Sequence, residues 1–371
     1  MKSKKLLLVA FILGLGLFLA ACGGATEEEG NETNTEKNDE TTSEAGNAAD
    51  YKVAMVTDYG GVDDKSFNQS SWEGIQAWGE ENGLEKGVNY DYAQSTEKAD
   101  YMPNLTRFVR DEYNLILGIG FELKEDLQTA AEQYPDTNFA LVDDIVDAPN
   151  AASITFREEQ GSFLVGVAAA MKTNTNKVGF VGGMRSPLID KFESGFVAGV
   201  KSVNPDIEVD VQYAESFADP AKGKLIAANM YDNGVDIIYH ASGGTGNGVF
   251  NQAKDVKQND PEREIFVIGV DRDQYDEGAI GNHNVTLTSM VKRVDVAVQD
   301  VINRGVNGEF PGGEQLVYGI EEDAITIAST NEEAMTEDII SAVEEWEAKI
   351  LNGEVEAPAT PDELETFLES L

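Results

Sequence analysis

Three apolar runs in this chain stop at an acid: Ala54-Met-Val-Thr-Asp58, Ala140-Leu-Val-Asp143 and Val267-Ile-Gly-Val-Asp271. In open α/β sheets ligands bind outside the carboxyl ends of strands, so three carboxylates placed there can converge on one polar site. Asp also starts ordinary loops, and a single such residue would argue little. Gly-rich turns occupy similar positions, at Tyr59-Gly60-Gly61, Gly118-Ile119-Gly120, Gly182-Gly183 and Gly243-Gly244-Thr245-Gly246. Each lets backbone approach a ligand or a neighbouring element closely.

The spacings exclude several chemistries. No Gly-Lys-Ser/Thr follows a glycine loop at the phosphate-loop spacing, and no G-x-G-x-x-G follows the first strand, so ATP and dinucleotides are disfavoured. Asp271-Arg-Asp-Gln-Tyr-Asp-Glu-Gly278 resembles a calcium loop only superficially, since Asp276 and Asn282 stand where the template requires Gly and Glu. No Gly-x-Ser-x-Gly elbow occurs, and His240 and His283 have no catalytic context. The expectation is a binding protein with no catalytic residue, no metal and no cofactor.

The elements that must position these acids alternate. β-branched runs are expected at 53–58, 115–120, 139–143, 178–182, 207–213, 235–240, 265–271 and 285–291, and amphipathic helices at 66–79, 160–172, 187–203, 220–232, 248–257 and 334–351. Ser66 is read as a helix cap and Pro187 as a first helical residue, and a last short helix begins at Pro361-Asp362. The fold class is α/β. One eight-stranded sheet is an alternative, but the polar stretch from Asp147 to Ala152 favours two doubly wound parallel-sheet lobes.

The ends differ from the body. Lys2, Lys4 and Lys5 precede an uncharged apolar stretch that ends in Leu19-Ala20-Ala21-Cys22, too short to span a bilayer. Residues 23–50 carry nine acids, one lysine and no aromatic or branched aliphatic side chain, and are expected to form a disordered acidic tether. The whole chain has a formal charge of −41, of which −36 falls in 51–371. Such acidity disfavours nucleic acid as a partner. We expect it to serve solubility in saline or alkaline surroundings. One cysteine excludes internal disulfides.

The stretch Val56-Thr-Asp-Tyr-Gly-Gly-Val-Asp-Asp-Lys-Ser-Phe-Asn-Gln-Ser-Ser-Trp-Glu-Gly74 resembles the basic membrane protein family of bacterial lipoproteins. These are substrate-binding subunits of ABC importers, and the resemblance is to the purine nucleoside receptor type. Supporting stretches are Ala151 to Gly166, Val178 to Gly183 with Phe192-Glu-Ser-Gly-Phe196, and Val267 to Asp271. The similarity extends from about Tyr51 to the C-terminal helix. The Leu-Ala-Ala-Cys box resembles a lipoprotein signal, which implies a lipid on Cys22 and an extracytoplasmic, membrane-anchored protein.

The resemblance implies a periplasmic-binding-protein-like (type I) fold with a hinge, closing on its ligand. The N-terminal lobe is expected to hold 51–155 and about 275–308, and the C-terminal lobe 156–274 and about 309–371. Phe67 and Phe217 would sandwich a purine. Asp58 and Asn68 would hydrogen-bond the ligand, Asp143 (or its neighbour Asp144) would read the base edge, and Asp271 would accept the ribose hydroxyls. Lys292 and backbone around Gly244 would complete the sugar site. The implied partners are inosine, guanosine or adenosine and an ABC permease, with the protein a monomer. Alternatives are a sugar or signal-molecule binder and, more remotely, a nucleoside hydrolase; a transcription regulator is disfavoured because no basic helix-turn-helix is present.

Overall fold

The computed structural model describes residues 47–371. The signal, Cys22 and nearly all of the tether lie outside the described residues. Asn47 to Asp50, expected to belong to the tether, instead form a short turn: Asn47 caps it, and Asn89 donates to the Ala49 carbonyl.

The first sheet contains β1 (Val53–Val56), β2 (Tyr90–Ala93), β3 (Leu115–Ile119), β4 (Asn138–Val142) and β5 (Ala151–Phe156), linked through α1 (Phe67–Glu81), α2 (Tyr101–Arg110) and α3 (Lys124–Gln133). The second contains β6 (Lys177–Gly182), β7 (Glu208–Tyr213), β8 (Ile237–Ala241), β9 (Phe266–Asp271) and β12 (Thr286–Lys292), with α4 (Glu158–Lys172), α5 (Pro187–Val203), α6 (Pro220–Asp232) and α7 (Gly246–Asn259). A hairpin of β10 (Ala279–Ile280) and β11 (His283–Asn284) interrupts the series. After α8 (Val294–Val306), the chain adds β13 (Gln315–Tyr318) to the first sheet and β14 (Ile325–Ile327) to the second, then ends in α9 (Glu337–Leu351) and α10 (Pro361–Glu369).

The strand orders are β13-β5-β4-β3-β1-β2 and β14-β12-β9-β8-β6-β7. Both sheets are parallel except where β14 runs against β12. The orders superimpose, so β4 corresponds to β9 and β5 to β12. The central strands are buried on both faces, every residue of β3 included, which explains why they read as continuous apolar runs rather than alternating ones.

The chain passes between lobes three times: after β5, after β12, and between β13 and β14. This corrects the expected division at two places. Residues 286–292 form a strand of the second sheet, not the first, and 315–318 belong to the first, not the second. β13 pairs with β5, more than a hundred residues earlier, which no local pattern encodes; β12 pairs with β9, from which only the β10–β11 hairpin and its flanking turns separate it. The helices that follow the first two passages are each held by close contact within the lobe they enter. α8 packs on α1, where Gly74 has no room for a Cβ against the Asp295 backbone, and α4 packs on α5 through Gly166, Gly195 and Gly199.

Candidate ligand-binding cleft

A cleft enclosing about 530 Å³ of space free of protein atoms, its mouth included, opens between the lobes. Its polar lining comes from strand ends and the residues just beyond them. Asp58 follows β1, Asp143 follows β4, Ser242 and Gly243 follow β8, Asp271 ends β9 and Lys292 ends β12. Asp143 and Asp271 stand at corresponding ends in the two lobes, and both adopt left-handed backbone, with φ of 72° and 65°. Asp is among the few side chains that tolerate this region, and such positions gather at functional sites.

On the first lobe, Asp64 organises the entrance to α1. Its Oδ1 accepts from the Ser66 and Gln69 amides at 2.9 and 3.1 Å, and its Oδ2 from the Asn68 amide at 2.9 Å. Ser66 holds the N-cap position, as expected, but the Asp64 carboxylate does the capping, and the Ser66 hydroxyl donates to Asp271 Oδ2 of the other lobe at 2.5 Å. The Asn68 side chain donates to Asp58 Oδ1 at 2.7 Å and Asp64 Oδ2 at 3.1 Å. Two carboxylates accept only, so they fix the amide with its NH2 toward them. Asn68 Oδ1 is left buried without a partner.

At the lobe boundary, Lys292 is 1 % exposed and lies 2.7 Å from Asp143 Oδ2, 3.6 Å from Glu158 Oε1 and 3.8 Å from Asp271 Oδ1. Its ammonium also stands 4.8 Å from the centre of the Phe67 ring and 5.2 Å from that of Phe156. Burial pulls the lysine's pKa down, but attraction to the three carboxylates outweighs it and carries it upward, so the ammonium stays charged. Asp143 Oδ1 is buried with no partner.

Burial likewise pushes Asp58 up to about 7, opposed by the hydrogen bonds from Gly60 and Asn68. Burial also raises Asp64 and Asp271. His240, fully buried and bonded to Gln274, is lowered by desolvation to about 4 and is neutral.

The walls are apolar. Phe67, Phe121, Leu188, Ile189, Phe192 and Phe217 line the cleft. Phe217 rests edge-on to Phe121, 6.2 Å between centres, and fits because Gly183 has no Cβ: one there would run into its ring. The structure thus brings together Asp58, Phe67, Asn68, Asp143, Phe217, Asp271 and Lys292. Asp143, rather than Asp144, faces the cleft; Asp144 pairs with Lys124 at 2.8 Å. Gly244 lies one residue beyond the lining, packed between the Phe217 carbonyl and Asp64, while Gly243 and Ser242 face inward. Lys292, expected at the sugar, is bonded to the acid expected at the base.

Sequence reasoning missed Asp64, Phe121, Leu188, Phe192 and Ser242 as cleft residues. Asp64 carried a signal, a second acid just before a helix start; Phe192 did not, because its spacing on α5 is that of an ordinary core residue.

Two doubly wound lobes closing over an apolar, acid-rimmed cleft define a two-lobed solute-binding protein. The description ABC transporter substrate-binding protein PnrA-like, of the Bmp family, matches residues 51–361, and the chain belongs to that family. It is 48% identical over 362 residues to a CD4+ T-cell-stimulating antigen of Listeria monocytogenes, covering 96% of this chain and 98% of that one. It is 43% identical over 317 residues to an ABC transporter nucleoside-binding protein, BmpA, of Lactococcus lactis, covering 84% and 90%. A solved ABC transporter solute-binding protein from Aeropyrum pernix superimposes with a TM-score of 0.76 at 28% identity, covering 86% of this chain and 97% of that one. Among the described residues no helix is long and apolar enough to cross a membrane.

Proposed function

We propose that this substrate-binding protein captures purine nucleosides in the cleft and hands them to an ABC permease. The observation that carries the reading is the acceptor-rich polar lining between aromatic walls. Asn68 Oδ1 and Asp143 Oδ1 are both buried and unpartnered. Leaving such atoms unmade costs about 1–3 kcal/mol each, which a ligand bearing N–H or O–H donors recovers. A flat base suits Phe67 and Phe217, and a vicinal diol suits Asp271. The relative named as nucleoside-binding supports the same ligand class.

Charge favours the neutral nucleoside over its phosphate. Lys292 is the one cation lining the cleft among the described residues, and it is already bonded to Asp143. A phosphate would meet carboxylates with no free counter-ion.

The Leu19-Ala20-Ala21-Cys22 box supports lipid attachment at Cys22, with the acidic segment after it as a tether to the extracytoplasmic face. Native mass spectrometry of the protein with an equimolar panel of inosine, guanosine, adenosine, ribose and arabinose tests the ligand. A nucleoside adduct is expected. A pentose adduct alone, or hypoxanthine released from inosine, would overturn the proposal in favour of a sugar binder or a hydrolase.

A further inference from the structure

Glu158 is the first residue of α4, immediately beyond the first passage between lobes, and is 0 % exposed. It is not among the residues lining the cleft. One carboxylate oxygen receives Lys191 of α5 at 2.9 Å, and the same ammonium donates to the Phe156 carbonyl at the end of β5 at 2.7 Å. The other oxygen has no hydrogen-bond partner and faces Lys292 at 3.6 Å. A fully buried carboxylate is unfavourable unless it is paired. Lys191 pairs only one of its oxygens, and the remaining charge acts on Lys292.

We infer that Glu158 is a positioning residue for the cleft: it holds the Lys292 ammonium back, so that Asp143 and Asp271 keep acceptor oxygens free for the ligand. Lys292 has three carboxylates within 4 Å, one of them behind the cleft. Removing the rear charge leaves the ammonium attracted only to Asp143 and Asp271, where it competes with the ligand's donors. Because Lys191 ties Glu158 to the Phe156 carbonyl of the first lobe, the restraint acts at the crossing segment itself. Glu159, the next residue, does not share the role. Its carboxyl is raised to about 7 by burial and by Glu158, and it is not paired with Lys292.

The inference rests on the nucleoside reading, and a double-mutant cycle in the full-length protein separates the two. Inosine affinity is measured for wild type, Glu158→Gln, Lys292→Met and the double variant. Glu158→Gln keeps the shape and an acceptor for Lys191, and is expected to weaken inosine by about tenfold, the worth of one charge-assisted bond. In the Lys292→Met background it should weaken inosine less than twofold, since nothing remains to be held back. Glu158→Asp, which keeps the charge, should restore most of the affinity. Equal losses in both backgrounds, or Asp no better than Gln, would overturn the inference.

Melting temperatures give a readout that needs no ligand. The double variant should be less destabilised than the sum of the single ones, because Lys292→Met alone leaves the buried Glu158 carboxylate without its second cation, and Glu158→Gln then removes that charge. If Lys292→Met alone does not fold, the double variant, with one buried carboxylate fewer, should recover part of the stability; additive destabilisation would contradict the pairing. Failure of wild type to bind inosine, with the melting cycle still non-additive, would fault the ligand and leave the pairing standing.

Discussion

Lys292 Nζ lies 2.7 Å from Asp143 Oδ2, joining the end of a strand in the second lobe to the end of a strand in the first. The bond consumes one Asp143 oxygen and leaves the other for a ligand. Asp143→Asn replaces one of the two oxygens by an NH2 group. The amide must turn its oxygen to Lys292, so it offers a donor where the cleft had an acceptor. We expect nucleoside affinity to fall by about 1.5–3 kcal/mol with the fold intact, measured by calorimetry and far-ultraviolet circular dichroism. Unchanged affinity would remove Asp143 from the ligand's contacts.

Phe67 is half-buried against the cleft, with Lys292 on its ring. Phe67→Ala should weaken every purine nucleoside by about 1–3 kcal/mol, because stacking tolerates any base. Phe67→Tyr should retain most of the affinity. A loss confined to one base would point to an edge contact rather than stacking.

Gly183→Ala tests the opposite wall. A Cβ at this position meets the Phe217 ring and must displace it. Nucleoside binding should weaken at least about tenfold, one stacking contact's worth. Gly→Ala at an ordinary backbone conformation does not itself destabilise, so the melting temperature should change little. Equal loss of stability and binding would place Phe217 in the core rather than at the ligand.

The pH dependence has two opposing signs. Burial raises Asp58 to about 7, above its unfolded value near 3.8, so the empty folded protein holds a proton that the unfolded chain releases. The Asp58 contribution to the stability of the empty protein should therefore fall as pH rises from about 4 to about 7 and then level off, as read from the difference between wild type and Asp58→Asn in urea titrations. A donor-bearing ligand favours the ionised carboxylate, so affinity should rise over the upper part of the same range. Affinity that fell with rising pH would mean that Asp58 donates to the ligand rather than accepting from it.

Much of the architecture was legible because the central strands are buried on both faces and read as unbroken apolar runs. Asp58, Asp143 and Asp271 were legible as acids that close such runs. Of the edge strands only β7 was: β2 is Tyr-Asp-Tyr-Ala, two residues buried and two part-buried, and β13 alternates exposed and part-buried residues; β5 was missed too, because Ala151 and Ala152 fall in the stretch read as a polar interruption. Assignment of β13 to the first lobe depends on pairing with β5 across more than a hundred residues, which leaves no local trace, whereas β12 pairs with β9, its near neighbour in the chain. Glu158 was present within the family-like stretch from Ala151 to Gly166, but a glutamate at a helix start reads as a dipole partner. Only the fold brings Lys292, more than a hundred residues later in the chain, against it.

Calorimetric titration of the full-length protein with inosine, guanosine, adenosine and adenosine monophosphate tests the central claim most directly. The account predicts one-to-one binding of at least one neutral nucleoside near micromolar, about −8 kcal/mol, and at least tenfold weaker binding of the monophosphate. No heat with any nucleoside, or tighter binding of the monophosphate, would contradict it.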